Sequence, residues 1–172
     1  MRRTSFSDAE CPIARALDVI GDPWSILLLR DALDGSTRFD QFERNLGIAP
    51  NMLTRRLRTL VEHDLLGRHR YQDRPPRYEY LLTERGRATQ PVIIALAQWA
   101  DREVPSALRG IQLVNTETGA TLDPVLVDRT TGRPISELPA GYAAGPAASP
   151  ALRARFDSLR PAPAAPNPTR PR

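Results

Sequence analysis

Apolar residues recur at helical spacing through the first hundred positions, and then the pattern changes. Ile13, Leu17 and Ile20 fall at i, i+4 and i+7, and Gly21 follows as a stop. Asp22-Pro23 combines a capping side chain with proline at the first helical position, which predicts a second helix through Leu33. Trp24 and Ile26–Leu29 make that helix apolar nearly all round, the mark of a buried central helix, and Asp34-Gly35 ends it. Thr37-Arg38 is at most a very short strand. Phe39–Leu46 is a short helix stopped by Gly47. Pro50 opens the next helix, expected to reach about Asp64, with Leu53, Leu57, Leu60 and Val61 as its core stripe. Asn51, Arg55, Arg58 and Thr59 lie on the opposite side, with Arg56 at the edge. Two helices joined by the four-residue turn Gly47-Ile48-Ala49-Pro50 predict a helix-turn-helix.

After Leu65-Leu66-Gly67 the period shortens. Arg68–Gln72 and Arg77–Leu82 read as two strands around the tip Asp73-Arg74-Pro75-Pro76, because two prolines suit a tip or an edge and not a central strand. A hairpin placed directly after a helix-turn-helix is a wing. Thr83 then caps a long amphipathic helix from Glu84 to about Glu103, in which Pro91 predicts a kink. From Pro105 the chain reads as a small β meander, Leu113–Asn115 and Val125–Asp128, with turns at Thr118-Gly119 and Thr131-Gly132. Residues 139–150 are rich in Ala, Gly and Pro. Ala151–Arg160 predicts a short helix with Leu152, Phe156 and Leu159 on one side. Five prolines fall in the twelve residues Pro161–Arg172, which predicts a disordered tail. No internal repeat is read.

The expected fold class is mainly α with a small β wing (α+β): a winged helix-turn-helix followed by a C-terminal β-containing extension and a disordered tail. Residues 1–10 would be a flexible arm, 11–103 the DNA-binding and dimerisation domain, 104–160 the extension and 161–172 the tail.

Length and composition narrow the chemistry. The 172 residues allow one domain plus an appendage and enough core to fold without disulfides or metal. One cysteine excludes an intramolecular disulfide and a Cys-based zinc site. All 24 basic residues are Arg, so a catalytic Lys, a Schiff base and a phosphate-loop Lys are absent. The polar start of the chain has no apolar signal region, and its aliphatic runs are far short of the ~20 residues a membrane span needs. The expected place is the cytoplasm, with no membrane partner. His63 and His69 lie on different elements, so no metal site is expected. No nucleophile–base pair, carboxylate pair or glycine-rich phosphate loop stands out, so the chain reads as no enzyme and as needing no cofactor.

Charge then acquires a position. Residues 38–87 hold eleven Arg against seven acids, net +4, whereas residues 1–37 hold four Arg against six acids. The positive excess sits on the second helix of the helix-turn-helix and on the hairpin, where binding to double-stranded DNA needs it. A helix has the diameter to enter the major groove, where Asn pairs with adenine and Arg with guanine or phosphate. Pro50, Asn51, Thr54, Arg55 and Arg58 are the expected contacts of the reading helix. Arg38, Arg68, Arg70, Arg74 and Arg77 would hold phosphates or the minor groove. The alternative is a winged helix used for protein interaction, with no specific operator.

The chain also resembles the HxlR-type winged helix-turn-helix transcriptional regulators. The likeness runs through Cys11-Pro12, Val19–Arg30, Arg38-Phe39 with Phe42, Gly47–Arg58, the wing motif Pro75–Gly86 and Trp99, over roughly residues 9–103. The resemblance implies a homodimeric regulator, a repressor rather than an activator, whose terminal helices form the interface and whose wings and reading helices straddle a palindromic operator. Ile13, Leu17, Ile93, Leu96, Ala97, Trp99 and Ala100 are the expected interface residues; the last five, with Ile94, are too many apolar residues for one narrow stripe on a helix. Some members sense electrophiles or oxidants through an N-terminal cysteine, which makes Cys11 the redox-sensing candidate and an oxidant or small molecule the expected effector. The competing reading of Cys11 is a buried small hydrophobe. Many relatives carry a polar cap where this chain has Ala49. The turns at 118–119 and 128–134 resemble those of an extension that carries Cys pairs in some relatives; Thr and Asp stand here, so zinc is not expected.

Overall fold

A computed structural model describes residues 5–159. The elements are α1 (Pro12–Ile20), α2 (Pro23–Leu33), α3 (Phe39–Leu46), α4 (Pro50–Glu62), β1 (Leu66–Gln72), β2 (Arg77–Leu82), α5 (Glu84–Arg87), α6 (Gln90–Ala100) and α7 (Pro150–Leu159). The chain divides into two compact units, one up to Leu122 and one from Asp123. The first unit is a winged helix. Leu28 and Leu29 of α2, Phe42 of α3, Ile48 of the turn, and Leu53, Leu57 and Leu60 of α4 bury completely or nearly so, with Leu65 and Leu66 closing the base of the wing. The heptad-like leucine spacing of α4 thus does what its period requires, placing one apolar stripe on the core. Trp24 packs partly buried against that core.

β1 and β2 form a two-stranded antiparallel sheet in which Leu66 pairs with Leu82, Arg68 with Tyr80 and Arg70 with Tyr78. The short strand expected at Thr37-Arg38 is a single antiparallel bridge from Arg38 to Glu79, supported by the Tyr80 amide donating to the Thr37 carbonyl at 2.7 Å.

Three expectations need correction. The helix expected from Glu84 to Glu103 is two helices, α5 and α6, ending at Ala100. Pro91 has no N–H to give the Arg87 carbonyl, so the ladder stops, and Pro91 serves as an opening residue of α6. The β meander is two hairpin turns, each with one isolated bridge, Val114 to Thr121 and Val127 to Pro134. Those turns are also a local repeat that the sequence reading missed. Asn115 Oδ1 accepts from the amides of Glu117 and Thr118, and the Asp128 carboxylate accepts from those of Thr130 and Thr131. Gly119 and Gly132 close the two turns at φ +73° and +69°, a backbone region where glycine carries no Cβ penalty. Val114-Asn115 and Val127-Asp128 are offset by thirteen positions in the sequence.

At the N-terminus, Ser5–Glu10 is tied to α1. The Ser5 hydroxyl and the Phe6 amide both donate to the Asp18 carboxylate at 3.0 Å, and the Arg15 guanidinium donates to the Ala9 and Glu10 carbonyls. The predicted tail 161–172 lies outside the described residues, as do residues 1–4. Among the described residues no helix is long and apolar enough to cross a membrane.

Candidate nucleic-acid interface

Burying Leu53, Leu57 and Leu60 forces the other side of α4 into solvent, and that side carries Asn51, Thr54, Arg55 and Arg58, with Pro50 exposed at its first turn. Gly47 makes the approach possible: its left-handed φ of 59° ends α3 and turns the chain toward α4. Ala49 stands at the N-cap with extended backbone and no capping side chain; Pro50 has no N–H, and the Met52 and Leu53 amides both donate to the Ala49 carbonyl at 2.9 Å. The Thr59 hydroxyl turns back to donate to the Arg55 carbonyl at 3.1 Å, which takes it out of the outward-facing set.

What fixes α4 to the rest of the fold was not legible from its own pattern. Asp22 caps α2, accepting from the amides of Trp24 and Ser25 at 3.1 Å each and from the Ser25 hydroxyl. The same carboxylate lies 3.1 Å from Arg56 Nε, off the line of an ordinary hydrogen bond, so the contact is mainly electrostatic. Arg56, placed at the edge of the exposed face by periodicity, is a largely buried side chain, 15% exposed, that ties the reading helix to the start of the central helix.

The wing distributes its arginines over two faces. Arg68 pairs with Tyr80 and Arg38 with Glu79; neighbouring positions on a strand point oppositely, so these two arginines leave the sheet on opposite sides. Each finds an aromatic ring. The Arg68 guanidinium lies 3.5 Å from the Tyr78 ring centroid and that of Arg38 4.8 Å from the Tyr71 centroid. Stacking restrains a long side chain while leaving its N–H groups free to donate. Arg38, Tyr71, Pro76 and Arg77 border an open groove of about 460 Å³. Alternation of Arg and Tyr along the hairpin was the available signal for these stacks.

Ion pairing separates the arginines further. Arg38, Arg55, Arg68, Arg74 and Arg77 have no carboxylate partner among the described residues. Arg58 pairs with Glu62 at 3.5 Å and Arg70 with Asp73 at 3.1 Å, and Arg70 also donates to the Gln72 and Asp73 carbonyls. These two must exchange an internal acceptor for a phosphate or base, so their net gain on binding is smaller. Among the described residues no group of three or more His, Cys, Asp or Glu is placed to hold a metal ion.

The HxlR-like helix-turn-helix profile matches residues 19–107, the stretch that builds this helix pair and wing. The chain belongs to that family. It is 41% identical to the HTH-type transcriptional regulator Rv3095 of Mycobacterium tuberculosis over 125 residues, 72% of this chain and 79% of the relative. Among solved structures, PA1607, named as a candidate transcription factor, is similar at a TM-score of 0.70 and 38% identity, covering 80% of this chain and 99% of that one. The reduced form of the redox regulator HypR is similar at a TM-score of 0.51 and 37% identity, covering 55% of this chain and 96% of that one. As a member of the HxlR-like family the chain is a helix-turn-helix transcriptional regulator, and the exposed face of α4 with the wing is its candidate DNA surface. The PA1607 match must reach into the extension, because residues 1–103 are only three fifths of this chain. The HypR match needs no more than the winged helix.

Two further features of this HxlR-like chain lie away from the arginines. Cys11 is exposed at the N-cap of α1 and makes no capping hydrogen bond, so it is not a buried hydrophobe within the single chain. α1 and α6 contain no buried residue. Ile13, Leu17, Leu96, Ala97, Trp99 and Ala100 are exposed, Trp99 by 74%, while Ile93 packs partly buried against the chain's own core.

Proposed function

We propose that this regulator acts as a homodimeric repressor that binds a palindromic operator through its two reading helices and wings. The observation that carries the reading is the division of α4: three leucines fully buried on one side, and Asn51, Thr54, Arg55 and Arg58 presented on the other. Arg55 donates within its own helix only to the Met52 sulfur, a weak acceptor that a guanine edge or phosphate readily replaces. Exposed Pro50 and Asn51 at the start of α4 suit contact with the DNA backbone and a base edge. The five arginines without a carboxylate partner supply the strongest electrostatic attraction, and Arg74 and Arg77 at the wing fit the minor groove or its backbone.

Dimerisation follows from the exposed apolar residues of α1 and α6. Trp99, three-quarters exposed on α6 with Leu96, and Ile13 and Leu17, exposed on α1, mark surfaces that a second copy would cover. A symmetric dimer calls for a palindromic operator, with half-sites about one helical turn or a multiple apart. Function on DNA places the protein in the cytoplasm. A dimer seated on an operator that overlaps a promoter excludes the polymerase, and repression is the sign proposed here.

Cys11 is the proposed input. HypR is named a redox regulator, and the exposed thiol at the start of α1 is accessible to an oxidant or electrophile. With hydrogen peroxide as oxidant, two Cys11 thiols give up two protons and two electrons to form one inter-subunit disulfide, and the peroxide becomes two waters. A direct bond needs the two Cα atoms within about 7 Å; otherwise a small thiol takes the partner's place.

Gel shift with selected operator DNA tests the reading. Arg55→Ala is expected to weaken binding by about tenfold to a hundredfold, and Arg58→Ala by less, with the dimer and helicity intact. Unchanged affinity in both variants sinks the placement of the reading face. Binding that is weak, indifferent to sequence and abolished by moderate salt favours the protein-interaction alternative instead. For Cys11, oxidised wild type should change its operator affinity and Cys11→Ser should not; equal behaviour removes the switch.

A further inference from the structure

We infer that the groove between the start of α3 and the wing is a binding site for a small aromatic carboxylate, and that filling it weakens the hold on DNA. The second half rests on the DNA reading proposed above; the first half does not. At about 460 Å³ the groove falls within the ~300–1,000 Å³ of small-molecule sites. Aromatic rings line it: Phe39 from α3, Tyr71 from β1, and Tyr78 and Tyr80 from β2. Phe39 and Tyr80 also pack against the core, which accounts for their presence. Tyr71, 40% exposed, and Tyr78 stand outside that cluster, so core packing does not explain four rings at one place.

Charge selects the occupant. Arg38, at the N-cap of α3, and Arg77, at the first position of β2, both border the groove, and neither has a carboxylate partner among the described residues. Asp40, the acid on the same border, already pairs with Arg44 at 3.5 Å. Glu79, opposite Arg38 in the backbone bridge, does not line the groove. The Arg38 guanidinium is held by its face, 4.8 Å from the Tyr71 ring centroid, which leaves its N–H edge to fork onto a carboxylate. An inorganic anion would use the arginines and leave the rings idle; an uncharged aromatic would do the reverse. A flat ring bearing a carboxylate uses both. Its two anchors belong to different elements, joined here by the Arg38–Glu79 bridge and the Tyr80 amide on the Thr37 carbonyl, so a ligand spanning them also sets the wing against α3. Arg38 and Arg77 are the side chains proposed above to hold phosphates, and a carboxylate on them competes with DNA directly.

Titration of the full-length chain with benzoate at constant ionic strength, followed by amide and arginine Nε–H chemical shifts, tests the site. Signals of Arg38, Tyr71, Arg77 and Tyr78 should move together along one saturating curve. Benzamide, which lacks the charge, cyclohexanecarboxylate, which lacks the flat ring, and inorganic phosphate should each bind about tenfold more weakly or worse. Arg38→Gln should raise the benzoate dissociation constant about tenfold and Tyr71→Leu about threefold, with shifts elsewhere unchanged because both side chains are exposed. Shifts that never saturate, or phosphate or cyclohexanecarboxylate binding within twofold of benzoate, overturn the site and reduce it to a patch of positive charge. In a gel shift, saturating benzoate should weaken operator binding at least fivefold; affinity within twofold of the ligand-free value overturns the competition. A chain that titrates with benzoate as expected but selects no operator sinks the DNA reading and leaves the groove standing.

Discussion

The winged helix closes on itself, and the extension does not. Residues 12–86 contain the ten buried hydrophobic residues, and the described residues after them contain none. The winged helix is held by apolar burial, with its polar groups added at the margins. The extension is held by turn chemistry, with its apolar groups left outside. The two regions thus answer different questions. One chain is enough to shape α4, whereas the extension has its local form in one chain and leaves its large aliphatic side chains exposed there.

The sharpest way to break the comparison is to shorten one leucine on each side. Leu57 of α4 is fully buried, and Leu57→Ala is expected to cost about 2–5 kcal/mol in denaturant unfolding, the lost transfer energy plus the cavity left behind. Leu126→Ala removes the same atoms from a side chain already 63% exposed and should leave unfolding of the monomer unchanged within about 0.5 kcal/mol. Equal losses from both would mean that the extension has an interior of its own.

The next effect concerns the ion pair that ties α4 to the start of α2. Asp22→Ala removes the α2 cap and leaves Arg56 largely buried without its carboxylate. The expected cost is about 2–3 kcal/mol, below the range for fully buried pairs because both side chains keep some solvent contact. Asp22→Asn keeps an acceptor for the Trp24 and Ser25 amides, so it should recover part of that stability and separate the cap from the charge. If Asn performs no better than Ala in thermal unfolding, the cap contributes nothing beyond the ion pair. A smaller gain lies at the start of the helix that carries Arg56. Ala49→Ser supplies the missing side-chain acceptor at the start of α4 and should stabilise the fold by about 0.5–1 kcal/mol.

What was legible in the sequence divides along the same line. Helix starts and stops in the first unit are local statements, made by Asp22-Pro23, Gly47 and the leucine spacing of α4, and they stand in the structure. The outward face of α4 follows from the same leucines, so the residues proposed to read DNA were already in view. The partner of Arg56 was not, because it lies 34 positions away and periodicity carries no information about which acid a buried arginine meets. Pro91 signalled a disturbance, but whether a proline kinks a helix or divides it depends on what else supports the turn before it. In the extension the turns were legible from Thr-Gly, while their kinship was hidden because one opens with Asn and the other with Asp, with different residues between. The exposure of the flanking leucines was not legible at all: alternation predicts that such residues are covered, without saying by which chain.

That difference between Asn115 and Asp128 gives the gentlest test. Both side chains accept from two amides of their own turn, so at neutral pH the two turns are near copies. Only Asp128 titrates. The Thr131 hydroxyl, donating at 2.7 Å, and then the amides of Thr130 and Thr131 favour its carboxylate and hold its pKa below the ordinary aspartate value. A pKa lowered in the folded turn means that these bonds contribute fully above the unfolded value and are lost as pH falls through the folded one. Acid should therefore loosen the second turn first. Amide chemical shifts of Thr130 and Thr131 should follow a single titration with a midpoint below that of an unstructured aspartate, while those of Glu117 and Thr118 stay flat through it. Asp128→Asn should abolish the titration and keep the turn. If both turns respond to acid together in the wild type, their shape depends on a shared surface whose carboxylates protonate, and not on the hydrogen bonds within each turn.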